Sequence, residues 1–188
     1  MSKSTKSYKL LKNKITFEEK ITISLSKELI NKYDLKEKEE ISGEDYQKLI
    51  RESVENYIIY LLAKKDYFKK DLFDKLNTIY REKNIILEAL DVVEEKGYID
   101  DLNRAKNYID SHKNYGSNKL SFELMRRGIN KDKIKELLGD NEEAEYTELE
   151  RIIEKQKKDK SVEKIIQSLM RKGFEYKKIK TILERGEK

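Results

Sequence analysis

The 188-residue sequence predicts a mainly α-helical protein, with tandem three-helix repeats in an elongated, curved array after a short N-terminal β-hairpin and helix. Three observations lead to this prediction. Apolar residues recur at spacings of three and four, the period of a buried helix face. The chain has no proline and only 7 glycines, which favours long helices. A helical pattern also recurs 45 residues further along the chain.

The N-terminal segment, 1–41, is predicted to hold the hairpin and a short helix. Residues 1–13 are rich in Lys and Ser, and we expect them to be frayed. Beyond them apolar and polar residues alternate with the two-residue period of strands, which predicts a hairpin around Glu18 and Glu19. Ser26 is placed to cap the short helix that follows. The alternating apolar residues are Ile15, Phe17, Ile21, Ile23 and Leu25.

A long helix should open the first repeat. Ser42 and Asp45 resemble a capping box, and the helix is expected to run roughly over 43–64. Its apolar residues fall on one stripe, as in an amphipathic helix. They are Tyr46, Leu49, Ile50, Val54, Tyr57, Ile58, Leu61 and Leu62.

The repeat itself is visible when the chain is aligned with itself. Residues 120–138 align without a gap on residues 165–183. Within them Leu124-Met-Arg-Arg-Gly-Ile129 falls on Leu169-Met-Arg-Lys-Gly-Phe174. A weaker copy precedes them at an offset of 48, with Tyr80 where the other copies have glycine. A further helix precedes each copy, so each unit should have three helices, and stacking would bury faces that one unit leaves exposed. The predicted repeats are 42–97, 98–139 and 140–188.

Glycines and polar residues mark the predicted helix ends. Gly97, Gly128, Gly139 and Gly173 are expected just beyond helix C-termini, where left-handed backbone is favoured. Asp100 and Asn141 are candidate N-caps. The acidic pair Asp100 and Asp101 is better explained by capping and first-turn charge than by metal binding or acid catalysis.

Composition argues against catalysis. Cysteine is absent and His112 is the only histidine, which excludes zinc–cysteine sites, thiolate chemistry and a Ser/His/Asp triad. We therefore expect no enzyme activity, no cofactor and no metal. No apolar run approaches 18 residues, so we expect a cytoplasmic protein that does not contact membranes. Three tyrosines near apolar stripes, Tyr57, Tyr98 and Tyr108, are expected to pack rather than stack on bases.

Charge is abundant but nearly balanced, with 42 Lys and Arg against 37 Asp and Glu. A basic pair precedes each repeat glycine, and more lysines follow it. One interpretation is a solvated face that complements the helix dipole. The other is a basic stripe that recurs once per unit and faces an acidic partner, either a phosphate backbone or a protein filament. The candidate binding residues are Lys64, Lys65, Lys69, Lys70, Lys119, Arg126, Arg127, Lys133, Arg171, Lys172 and Lys178.

Three stretches together resemble the RecX family, bacterial modulators of the RecA recombinase. Residues 20–35 are similar to the strand-then-helix entry of Firmicutes members, and residues 95–101 resemble the family's Gly-Tyr-Leu-Asp-Asp signature. The third stretch comprises the repeat motifs. The signature and repeat positions are Gly97, Tyr98, Asp100, Asp101, Ala105, Gly116, Gly128 and Gly173. Departures from the family pattern are Phe68, Tyr80 and Arg104.

The resemblance implies a monomeric, non-enzymatic regulator that lodges in the groove of the RecA–DNA filament. It would inhibit filament growth, ATPase activity and strand exchange in recombinational repair and the SOS response, although activation occurs in some members. Single- or double-stranded DNA is a further candidate partner for the basic residues. The alternative is a helical-repeat DNA-binding protein that regulates transcription. Repetition within one chain and balanced charge disfavour it, since such regulators usually place one recognition helix per half-site in a dimer.

Overall fold

The computed structural model describes residues 5–18 and 21–185. The chain divides into two compact units, Met1–Asp100 and Asp101–Lys188. We call them the N-terminal and the C-terminal unit. Most described residues are helical, and a small antiparallel sheet lies in the N-terminal unit. The mainly α prediction is therefore confirmed. Within the described residues, every helix is too short or too polar to cross a membrane.

The sheet has four strands in the order β3-β2-β1-β4, with every neighbouring pair antiparallel. The predicted hairpin is confirmed, because β2 pairs with β3 and Ile15 lies opposite Ile23. Glu19, in its turn, lies outside the described residues. The strands are β1 (Thr5–Leu11), β2 (Lys14–Phe17), β3 (Thr22–Ser24) and β4 (Glu40–Ser42).

The expectation of a frayed start is wrong for residues 5–11. This strand lies between β2 and β4, so both of its backbone edges are paired over part of its length. Tyr8 is buried, and its hydroxyl donates to the carbonyl of Leu35 at 3.2 Å. A single buried aromatic residue among lysines and serines gives no clear two-residue pattern, and one of the two pairing partners, β4, lies far along the chain.

Four helices complete the N-terminal unit. Both predicted caps are confirmed: Ser26 Oγ accepts from the N–H of Leu29 at 3.2 Å, and Ser42 Oγ accepts from that of Asp45 at 3.1 Å. The helices are α1 (Lys27–Lys32), α2 (Gly43–Leu62), α3 (Lys69–Tyr80) and α4 (Lys83–Glu95).

One apolar cluster joins the sheet to these helices. Phe17 of β2 meets Tyr46 of α2 edge-to-face, with ring centroids 4.9 Å apart. Tyr80, which replaces the repeat glycine, is buried at the end of α3. The left-handed residue here is Arg81, with φ of 58°, one position after the aligned glycine position.

Six helices form the part of the C-terminal unit that the structure describes, residues 101–185. They reproduce the sequence repeat, since α6 and α9 are both ten residues long and begin 45 residues apart. The helices are α5 (Asp101–Ser111), α6 (Ser117–Arg126), α7 (Lys131–Gly139), α8 (Glu142–Lys157), α9 (Val162–Arg171) and α10 (Tyr176–Arg185). The boundaries of the three predicted repeats stay a prediction.

One helix-end prediction is wrong, and another is correct in position only. Gly139 is the last residue of α7, and the right-handed backbone continues into Asp140, so no left-handed glycine ends this helix. Asn141 precedes α8, but its side-chain amide donates back to the carbonyl of Leu137 at 3.1 Å and forms no cap bond. The short α7–α8 connection explains both results, because the chain keeps nearly helical backbone between them.

Candidate functional site

Two helices of the C-terminal unit, α6 and α9, end in turns of the same type, and each turn carries one predicted basic pair. After α6, the N–H of Gly128 donates to the carbonyl of Met125 at 3.0 Å. The next N–H, of Ile129, donates to the carbonyl of Leu124 at 3.1 Å. Both bonds are those of a Schellman motif, and Gly128 has the left-handed φ of 89° that the motif requires. The turn at Gly173, φ 87°, repeats this pattern, so both glycine predictions are confirmed.

The first residue of each basic pair is exposed. The side chain of Arg126 is 66% exposed, and its nearest acidic group is the carboxylate of Glu123 at 3.9 Å. Arg171, at the same position in the next copy, is also exposed, and its Nε donates only to the carbonyl of Gln167, at 3.3 Å. Both guanidinium groups therefore keep donors available to a partner.

The second residue of each pair is half-buried, and the two copies differ. Arg127 Nη1 donates to the carboxylate of Glu123 at 2.9 Å, and the guanidinium lies 4.6 Å from the ring centre of Tyr108. In the other copy, Ser168 occupies the position of Glu123, so Lys172 has no carboxylate one turn back. Arg127 is thus held inside the fold by an ion pair and a ring, which Lys172 lacks.

A column of rings connects two of the predicted cations. His112 stacks on Tyr108 with ring centroids 4.1 Å apart. The ring centroid of Tyr115 lies 5.3 Å from that of His112. Lys119 lies 3.8 Å from the ring centre of Tyr115, so the run of contacts extends from Arg127 to Lys119. Sequence reasoning missed this column, although a spacing of four and three residues was a usable signal. Such contacts hold both cations in place.

The lysines that follow the glycines have different surroundings in the two copies. Lys133 is exposed and pairs with Glu136 at 2.9 Å. Lys178, its counterpart, is only 12% exposed and pairs with Glu145 at 2.7 Å and Glu142 at 3.2 Å. Burial alone would lower the pKa of Lys178, but its hydrogen bonds to these carboxylates outweigh burial and raise the pKa. The charge of Lys178 is thus already compensated within the unit.

In the N-terminal unit, one predicted cation is similarly engaged. Lys69 donates to Asp91 and to Glu94, each at 2.6 Å, and its side chain is only 25% exposed. Lys70 is more exposed and pairs with Asp74 along the helix at 2.6 Å. These contacts give Lys69 a structural role, connecting α3 to α4.

The two remaining predicted cations lie beside tyrosine rings. Lys64 donates to the hydroxyl of Tyr60 and lies 4.2 Å from the centre of that ring. Lys65 lies 4.7 Å from the ring centre of Tyr67. Both lysines are exposed, so the rings orient them without neutralising their charge.

The signature stretch forms the connection from α4 to α5. Gly97 has φ of 75° and closes another Schellman turn, as predicted. Asp101 begins α5 directly after Asp100, and Ala105 is completely buried. Tyr98, however, is 70% exposed, which contradicts its predicted packing role. The turn directs this side chain outward, whereas the equivalent residues after the repeat glycines are buried.

Gly116 allows two copies of the repeat to make direct backbone contact. Its N–H donates to the carbonyl of Lys172 at 2.9 Å, and the N–H of Asn118 donates to that of Gly173 at 3.2 Å. A Cβ at position 116 would lie 2.2 Å from the backbone nitrogen of Phe174. Only glycine fits at this approach, which accounts physically for glycine at this repeat position.

Glu145 completes the contact between these copies. Gly116 is the N-cap of α6 and has no side chain to satisfy the first amides of the helix. Instead Glu145, from α8, accepts from the N–H of Ser117 at 2.7 Å and, through its other oxygen, from Lys178 at 2.7 Å. Sequence reasoning missed this residue because its partners lie 28 and 33 positions away.

The described part of the chain contains no group of three or more His, Cys, Asp or Glu side chains that could hold a metal ion. The charged groups described above form ion pairs and aromatic contacts. Their arrangement can present exposed cations at repeated turns.

Sequence relatives indicate one family, and a solved structure of that family shares the fold. No family model matches the sequence. Regulatory protein RecX of Clostridioides difficile (strain 630) is 28% identical over 186 residues, which covers 91% of this chain and 87% of that protein. Regulatory protein RecX of Haemophilus influenzae (strain PittEE) is 30% identical over 129 residues, covering 63% of this chain and 85% of that protein.

The fold is shared as well. A crystal structure of regulatory protein RecX superposes with a TM-score of 0.66, at 15% identity, over 95% of this chain and 97% of that one. At this identity the likeness concerns the fold alone. The sequence relatives, together with the repeat turns, confirm the resemblance noted from the sequence. The chain belongs to the RecX family of regulatory proteins.

Proposed function

We propose that this protein binds the RecA recombinase on its DNA filament and limits filament growth, ATPase activity and strand exchange. The observation that carries the proposal is the match to regulatory RecX proteins over most of the chain. RecA as the partner follows from the family resemblance. In this proposal the protein acts as a cytoplasmic monomer and catalyses no reaction itself.

The repeat turns supply a physical basis for binding a periodic partner. Arg126 and Arg171 are exposed at the same point of two successive copies. A filament presents identical acidic groups at regular intervals, so cations repeated in one chain can bind several of them at once. Each contact would be weak alone, and their combination raises affinity through effective concentration.

The same geometry disfavours the transcription-regulator alternative. A helix-turn-helix protein contacts base edges with residues near the N-terminus of its recognition helix. Arg126 and Arg171 instead end their helices, one at the C-terminus of α6 and the other at that of α9.

The test measures the DNA-dependent ATPase activity of RecA and the length of its filaments, with and without the full-length protein. We expect shorter filaments and a slower ATPase, in proportion to the protein added. Longer filaments would reverse the sign of regulation. No effect at saturating protein would contradict the proposal.

A double charge reversal tests the turn arginines. Arg126→Glu with Arg171→Glu should weaken filament binding by about tenfold or more, because two attractive contacts become repulsive. Arg127 is left unchanged, since its ion pair stabilises the fold. The matched control is Lys9→Glu with Lys36→Glu, two exposed lysines of the N-terminal unit. Equal loss in both variants would show only a general effect of net charge.

A further inference from the structure

All of the net positive charge belongs to the C-terminal unit. Residues 101–188 contain 22 Lys and Arg against 17 Asp and Glu, whereas residues 1–100 contain 20 of each. The two units therefore differ electrostatically although both are highly charged. A net-basic surface attracts polyanions, and the attraction is strongest where cations lack acidic partners.

A cleft in this unit brings several cations together. It has a volume of about 350 Å³ and lies between α8 and the segments that flank α5 and α9. None of its cations except Lys172 was predicted from the sequence. Its polar lining comprises Asn114, Glu148, Arg151, Lys155, Gln156, Asp159, Lys160 and Lys172.

Of the two acidic residues that line the cleft, Glu148 is held by an ion pair and Asp159 is exposed, against four cations in the same lining. Glu148 accepts two hydrogen bonds from Arg151, at 2.6 and 2.8 Å, and its side chain is only 17% exposed. These bonds, and the charges of Lys113 and Lys172, lower the pKa of Glu148. Both lysines therefore lie within electrostatic range of this carboxylate.

Two lysines of the cleft lining and one beside it remain without a direct partner. Among residues 5–18 and 21–185, no ion pair or hydrogen bond engages the side-chain ammonium group of Lys113, Lys155 or Lys172. Lys160 donates only to the neutral amide of Gln156, at 3.1 Å. Lys155 is exposed and Lys172 half-buried in the lining, and Lys113 is exposed next to the lining residue Asn114, so a ligand in the cleft can reach all three.

We propose that this cleft binds the phosphodiester backbone of a nucleic acid strand, with Lys155 and Lys172 of its lining and Lys113 beside it contacting phosphate oxygens. Flexible lysines act as point charges suited to such oxygens. The amides of Asn114 and Gln156 add neutral hydrogen-bonding groups for sugar or phosphate oxygens. The inference rests on the proposed function for its biological setting, since a RecA filament contains DNA.

The experiment measures direct binding without RecA, so that this inference and the proposed function can fail separately. Fluorescence anisotropy of the full-length protein would use a labelled thymidine oligonucleotide in one arm and a labelled duplex in the other. Lys113→Gln, Lys155→Gln and Lys172→Gln are combined in one variant. Its affinity should fall by about tenfold or more, and the salt slope for the single strand should decrease by roughly 2, since each lost phosphate contact removes ~0.7.

The matched control combines Lys9→Gln, Lys36→Gln and Lys75→Gln, which removes the same charge from exposed positions of the N-terminal unit. It should retain wild-type affinity, and circular dichroism should show unchanged helical content in both variants. An equal loss in the control, or an unchanged salt slope in the cleft variant, would overturn the inference. So would a poly-glutamate peptide that competes as strongly as the oligonucleotide, because the cleft would then favour an acidic protein segment.

Discussion

The two units of this chain are stabilised in different ways. In the N-terminal unit a continuous apolar cluster joins four strands to the helices, and the polar Ser53 is buried with a hydrogen-bonding partner. In the C-terminal unit the described helices other than α8 are 9 to 11 residues long. Backbone hydrogen bonds at Gly116 and the ion pair of Glu145 with Lys178 connect successive copies there. Specific polar contacts thus supplement a thinner apolar core.

This difference shows how the repeat can be both compact and highly charged. Close backbone approach lets short helices meet with little apolar surface between them, so more of each helix can carry charge. The net charge lies entirely in the unit that uses this arrangement. The N-terminal unit has the larger apolar core and zero net charge, and we propose the C-terminal unit as the binding surface.

The largest effect should come from adding one methyl group to the C-terminal unit. In Gly116→Ala the Cβ would lie 2.2 Å from the backbone nitrogen of Phe174, so the two segments must separate. Separation would break the hydrogen bonds to Lys172 and Gly173. We expect the free energy of unfolding to fall by about 3 kcal/mol, combining overpacking with lost hydrogen bonds. Urea denaturation measures the loss, and hydrogen exchange should locate it after residue 100.

Gly139→Ala is the control for this substitution. A Cβ there meets nothing within 4 Å, and the residue lies in right-handed helix. Alanine should leave stability unchanged or raise it by up to about 1 kcal/mol. If both variants lost the same stability, close approach would not be the reason for glycine at position 116.

A smaller effect should follow from removing the charge of Glu145. Glu145→Gln keeps the shape of the side chain and can still accept from Ser117, but it leaves Lys178 with only the more distant Glu142. Stability should fall by about 2 kcal/mol, because a mostly buried ammonium loses its nearest counter-charge. The raised pKa of Lys178 stabilises the fold below the unfolded pKa and ceases to do so as pH rises through the folded value. The variant should therefore lose less stability than the wild type under alkaline conditions.

Glu143→Gln supplies the comparison on the same helix. Glu143 is exposed and lies two residues away, so its substitution should change stability by less than about 0.5 kcal/mol. Chemical denaturation at neutral and alkaline pH would compare the two variants. Parallel pH profiles of wild type and Glu145→Gln would contradict the proposed role of the ion pair.

Much of the fold could be predicted because its signals are local. Helix periods, the caps at Ser26 and Ser42, and the left-handed glycines at Gly128 and Gly173 depend on residues a few positions apart. The first strand was missed because its residues show no clear two-residue pattern and one of its two partners, β4, follows only after β3 and α1. Local patterns contain little information about such pairing.

The candidate site was predictable only in part. Repetition identified Arg126 and Arg171, and both are exposed. It also selected Lys178, whose counter-charge Glu145 lies 33 residues away and has no signal in the repeat. Composition could not show which lysines have partners inside the fold. The cleft at Lys172 emerged only when the segments around α8 were placed together.

The smallest predicted effect concerns Tyr80, where the N-terminal unit has a buried side chain in place of the repeat glycine. Its hydroxyl donates to the carbonyl of Ser53 at 3.1 Å and also lies 3.1 Å from the hydroxyl of Ser53. Tyr80→Phe keeps the ring and removes these bonds, so stability should fall by about 1 kcal/mol. Urea denaturation measures the change, and hydrogen exchange should place it before residue 101. Tyr60→Phe is the control, since Tyr60 is 51% exposed and its hydroxyl can be replaced by water as a partner of Lys64. Two results would contradict this prediction: a loss of stability at Tyr60 as large as that at Tyr80, or a loss spread over both units. Either would show that the buried hydroxyl of Tyr80 does not stabilise the N-terminal unit locally, as the backbone contact at Gly116 is expected to stabilise the C-terminal unit.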